Sequence, residues 1–77
     1  MTGTELNEIK HKVIGPMIDD LICKYQLNND RNKFEYIKEC WRKLNELLIQ
    51  YNFSDDTFKS LNIMYRKQIE DKINKLN

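Results

Sequence analysis

Alanine is absent from this 77-residue chain, although it is the strongest helix former. Ten Lys, nine Asn and nine Ile take up the composition instead. These three residues have AT-rich codons and alanine has GC-rich ones. The gap therefore points to a very AT-rich genome, such as that of a low-GC bacterium or of a phage or mobile element living in one. Glycine is almost as scarce. Gly3 and Gly15 are the only two, so no glycine-rich loop is available to cradle a phosphate. Cys23 and Cys40 are the only cysteines and His11 the only histidine. The cysteines are far apart, in no C-x-x-C arrangement, and neither lies near His11, which argues against a zinc site or a thioredoxin-type pair. Free thiols in a reducing cytosol are the expectation, with an interhelical or intermolecular disulfide as the alternative.

His11 has only Asn7 and Glu8 as helical neighbours with donor atoms, a poor ligand set, and no nucleophile for it to activate. It reads as a solvated surface residue. The carboxylate doublets Asp19-Asp20 and Asp55-Asp56 form no chelating dyad, because adjacent residues on a helix point about 100° apart. These absences together predict no metal, no cofactor and no catalytic set, hence a protein that is not an enzyme. No apolar run approaches the ~20 residues needed to span a bilayer. Met1-Thr2-Gly3-Thr4-Glu5 has neither the basic start nor the apolar stretch of a leader. A cytoplasmic location without membrane contact is the expectation. Net charge is only +1, from 13 basic and 12 acidic residues, so no strong field of one sign draws nucleic acid or an acidic surface.

What the chain does have is helical periodicity, and no strand pattern. Phe34, Ile37, Trp41, Leu44, Leu48 and Tyr51 alternate three- and four-residue steps, a coiled-coil-like seam. Phe58, Leu61, Tyr65, Ile69, Ile73 and Leu76 draw a second stripe. Between them, Ser54 is a good N-cap, Asp55 and Asp56 suit the positive helix end, and Phe53 with Phe58 suits a hydrophobic staple. Thr2-Gly3-Thr4-Glu5 fits a capping box. Asn29 or Asp30 should cap the helix before the turn, after a loop over Gln26 to Asp30.

The segment in front of that loop is harder to read. Leu6, Ile9, Val13 and Met17 share one face. Ile14, Ile18, Leu21, Ile22 and Tyr25 centre about 90–120° further round, so a straight helix cannot aim both groups at one core. Proline lacks an amide hydrogen and its ring collides with the carbonyl four residues earlier. A break or sharp kink at Gly15-Pro16 is therefore predicted, with Pro16 opening a new helix. The sequence thus predicts an all-α protein, a single domain over residues 1–77. It should form a small antiparallel bundle of three long segments, with approximate helices 3–14, 16–26, 31–51 and 55–75.

Residues 42–73 resemble in outline the short helical-hairpin phosphatases that act on sporulation response regulators. That family carries Ser-Gln-x-Leu-Asp on its second helix, whereas Tyr65-Arg66-Lys67-Gln68-Ile69-Glu70 stands in the corresponding place here. The resemblance is one of shape and transfers no functional residue.

Surplus apolar surface is the remaining clue to function. The arc on the helix over 31–51 spans about 160°, wider than the ~100° stripe that one neighbour covers. Its edge at Tyr36, Cys40 and Leu47, together with Ile63 and Met64 on the last helix, makes the candidate partner-binding set. The function that follows is a small protein-binding module, a regulator or inhibitor that occludes a protein surface; a homodimer would use the same surplus. Two alternatives stand beside it: a DNA-binding regulator using Arg42, Lys59, Arg66 and Lys67, and a small structural or assembly protein. Glu39, Glu46, Glu70 and Asp71 interleave with the basic residues, which weakens the DNA reading.

Overall fold

Thr2 opens the first helix as its position implies, its hydroxyl accepting the Glu5 amide at 3.2 Å. The computed structural model describes residues 2–27 and 32–76. Helix α1 covers Gly3–Ile9 and helix α2 covers Gly15–Leu27, and Lys10–Ile14 between them is a π turn. Backbone angles remain helical on both sides of that turn, at −61°/−45° for Ile9 and −55°/−54° for Gly15. The three pieces therefore form one rod, kinked ahead of Gly15-Pro16 but not broken there. The expectation that Pro16 opens a separate helix is corrected.

The reason lies in register. In the π turn the Gly15 amide donates to the Lys10 carbonyl, five residues back instead of four. One residue is thereby added to the turn, which rotates everything after it by about 100° relative to an ideal helix. That is the offset between the two apolar groups. Leu6 and Ile9 are half-buried against the core, and the inward line then continues through Ile14, Ile18, Leu21 and Tyr25, all buried. The step from Ile9 to Ile14 absorbs the mismatch. Widening the turn also accommodates Pro16, which has no amide to donate and whose ring crowds the preceding turn.

Helix α3 covers Lys33–Ile49. Its N-cap is Asn32, whose Oδ1 accepts the amides of Phe34 at 2.9 Å and Glu35 at 3.3 Å. The cap expected at Asn29 or Asp30 is thus replaced by one further along, and those two residues lie outside the described ones. Gln26 belongs to α2 rather than to the loop. Helix α4 covers Asp55–Lys75 and is capped as anticipated: Ser54 Oγ accepts the Thr57 amide at 3.3 Å and donates to Thr57 Oγ1 at 2.9 Å. Phe53 and Phe58 are both half-buried against the core, consistent with a staple at this entry.

Antiparallel pairing of α3 and α4 is fixed by two contacts with the same residue sum. Asn62 Nδ2 donates to Asn45 Oδ1 at 3.3 Å, and Trp41 Nε1 donates to the Arg66 carbonyl at 3.3 Å. Lys72 meets Asp19 at 3.3 Å while Leu6 lies by Phe53 and Thr57, so the first rod runs parallel to α4. The result is an up-down-up bundle, 41 × 20 × 19 Å, with no strand among the described residues. Its core runs the length of the middle: Ile14, Leu44, Leu48, Ile69 and Ile73 are inaccessible to solvent. Burying each such side chain contributes about 1.5–3 kcal/mol. Among the described residues, no helix is long and apolar enough to cross a membrane.

Candidate protein-binding face

The wide apolar arc of α3 is satisfied inside the chain. This helix packs against both α2 and α4, so two neighbours cover it rather than one. Tyr36 is buried against α2, its hydroxyl donating to the Leu21 carbonyl at 2.6 Å and its ring 5.0 Å from that of Tyr25. Cys40 is 1% exposed, and burial, with Glu39 alongside, pushes its thiol up to about 11. Such a thiol is protonated at neutral pH and poorly nucleophilic. Leu47 is half-buried against the core. The Tyr36–Cys40–Leu47 edge, expected to meet a partner, therefore faces α2 and the core, and Tyr36 and Cys40 offer no surface to a second molecule.

Ile63 and Met64 behave differently. They are 70% and 42% exposed on α4. Ile63 sits opposite the buried line of Leu61, Tyr65, Ile69 and Ile73, in register with exposed Lys59 four residues before and exposed Lys67 four residues after. The structure thus brings the apolar pair together with two of the basic residues considered for DNA. The other two basic residues stand differently. Arg42, on α3, is bound to Glu46 at 2.8 Å. Arg66, exposed and three residues after Ile63, borders the same face while its guanidinium lies over the Trp41 ring, 5.2 Å from the centroid. Glu70 and Asp71 are exposed one turn beyond Lys67, so the basic residues form no continuous stripe.

Further exposed apolar residues lie elsewhere. Leu27 and Phe34 are 83% and 71% exposed where α2 ends and α3 begins, and Ile49 is 64% exposed near the α3–α4 turn. Phe34 had been expected in the seam. It stands one turn outside it, with the Lys33 ammonium 5.8 Å from its ring. Asn62 was missed in the other direction: a buried polar residue inside a stripe of apolar ones. Cys23 is exposed and Cys40 buried, with no interhelical disulfide joining them. Among the described residues no group of three or more His, Cys, Asp or Glu side chains could hold a metal ion. The groove between α2 and α3, about 390 Å³, has a floor of Leu21, Tyr36 and Cys40 and carries no nucleophile paired with a base.

Comparison with known proteins adds no neighbour: no family model, no curated protein and no solved structure matches this chain.

Proposed function

We propose that this chain is a small protein-binding module, a regulator or inhibitor of phage or mobile-element origin that occludes a surface of a bacterial protein. The observation that carries the reading is the outward face of α4, where Ile63 is 70% exposed between Lys59 and Lys67, with Met64 beside it. An isolated exposed isoleucine is ordinary. Paired with a methionine and bracketed by cations on a rigid helix, it forms a compact apolar knob with a positive rim. Large exposed side chains of this kind dominate interface energetics when they enter a pocket on a partner. The surface that fits is an apolar notch edged by carboxylates, and occupation of that notch by α4 is the mode of action.

Ile63→Asp tests it, because a surface substitution away from the core shifts stability by less than about 0.5 kcal/mol. A protein retained from a low-GC bacterial lysate by the native chain, and lost with Ile63→Asp, supports the reading. Retention indifferent to Ile63→Asp overturns this face, and no retention with a strictly monomeric native chain overturns the module itself. Binding to duplex DNA that weakens steeply with salt would assign Lys59 and Lys67 to phosphate contacts instead. Concentration-dependent self-assembly abolished by Ile63→Asp would make the occupant a second copy.

A further inference from the structure

The two ends of the first rod are held very differently. Beyond the π turn, Ile14 and Ile18 are 0% and 1% exposed, the Leu21 carbonyl accepts the Tyr36 hydroxyl, and Asp19 pairs with Lys72. Before it, α1 buries no residue at all. Leu6 and Ile9 are half-buried and dock over the α3–α4 turn, Leu6 towards Phe53 and Thr57, Ile9 towards Tyr51. That docking is flanked by open depressions on both sides, about 700 Å³ beside Leu6 and about 390 Å³ beside Ile9. Among the described residues, no side-chain hydrogen bond or ion pair ties α1 to the hairpin; the hydroxyl of Thr2 serves only the amide of Glu5.

The junction between these ends is the one place in the rod where the helical ladder is already altered. The bond from Gly15 to Lys10 spans five residues, and Pro16 contributes no amide to hold the turn before it. Gly15 also fits this turn closely. A Cβ there would stand 3.2 Å from the Lys10 carbonyl oxygen, the same oxygen that accepts its amide.

We propose that residues 3–13 are a hinged strap: they undock from the α3–α4 turn as a unit, pivoting where the π turn meets α2 at Ile14-Gly15, while α2, α3 and α4 stay folded. Undocking bares the apolar ridge of Leu6 and Ile9 together with its seat at Phe53. The chain thereby has a second apolar surface, gated by the strap and separate from the outward face of α4. Local opening of this kind draws on the least buried contacts of a fold, and it costs less than global unfolding.

Native-state hydrogen exchange on the full chain tests the hinge. Amides of Glu8 to Val13 should share one protection factor, at least about tenfold below that of Leu21 to Tyr25, with a step between Ile14 and Ile18. Leu6→Ala should lower protection of the strap by about three- to tenfold while the step between Ile14 and Ile18 remains. Protection that climbs smoothly from Glu8 to Ile18 is end fraying and overturns the strap. Protection equal to that of α2 means a single cooperative unit and overturns it as well.

Discussion

The first rod and the α3–α4 hairpin meet the same core by different means. In the hairpin, Ile37, Leu44 and Leu48 face Leu61, Tyr65, Ile69 and Ile73, and both stripes keep the three- and four-residue steps of an unperturbed helix. The rod instead changes phase once, between Ile9 and Ile14, by widening one turn. The hairpin depends on every residue of its count being present. The rod carries one residue more than an ideal helix needs, and it stores the surplus beside its only proline. An apolar pattern that looks broken on a helical wheel is therefore compatible with an uninterrupted helix, provided that the offset is close to a single residue.

Deletions should separate the two regions most sharply. Removing Lys43 turns Leu44 and Leu48 about 100° away from the partners of the first half of α3, and the cooperative unfolding transition should disappear. Removing Lys12 converts the Ile9–Ile14 step into a regular one. Combined with Pro16→Ala, which restores the missing amide, it should leave stability within about 1 kcal/mol of the native chain. Urea unfolding followed by far-ultraviolet circular dichroism distinguishes the two. Equal damage from both deletions would remove the phase argument.

Truncations come next in size. Leu44→Ala opens a cavity at a fully buried site and should cost about 2–5 kcal/mol, whereas Leu6→Ala, at a half-buried site, should cost about 0.5–1 kcal/mol. Equal losses, read from urea midpoints at constant slope, would mean that the rod is as tightly docked as the hairpin. The smallest effect is on pH dependence. Burial raises Cys40 from 9.0 to about 11 and also raises Tyr65. Each stays protonated in the folded chain while its unfolded counterpart ionises. The Cys40 contribution is thus complete below pH 9 and is lost as pH rises from about 9 towards 11, and Tyr65, raised from 10.0, adds a loss of the same sign at the alkaline end. The expected loss is on the order of 1–3 kcal/mol, measurable as a falling midpoint over that window and reduced in Cys40→Ala.

The hairpin was legible because local signals agreed with one another. Ser54, Asp55, Asp56 and Phe58 all mark the same helix start, and the stripes on either side share one period. The bundle and the kink near Gly15-Pro16 followed from the same arithmetic. The form of the kink did not, because the wheel was drawn for a fixed 3.6-residue turn. The five-residue gap between Ile9 and Ile14 was the signal available. Placing the cap at Asn32 required choosing among several polar residues that cap equally well in isolation. Of the residues proposed for partner binding, Ile63 and Met64 stand out because they break the stripe of α4. Tyr36 and Cys40 were misplaced because their cover comes from α2, and a sequence stripe gives the width of an apolar face but not how many neighbours share it.

One amide pair constrains how the hairpin can be assembled at all. Asn45 and Asn62 meet in a largely apolar seam, where the Asn62 amide nitrogen donates to the Asn45 side-chain oxygen. Sliding one helix along the other by a turn would part them and strand Asn62 among greasy neighbours, a penalty of about 1–3 kcal/mol that apolar side chains alone would never impose. The pair thus favours one alignment of the two rods, the same one the Trp41–Arg66 bond marks, and that alignment helps to set which residues of α4, Ile63 included, look outward.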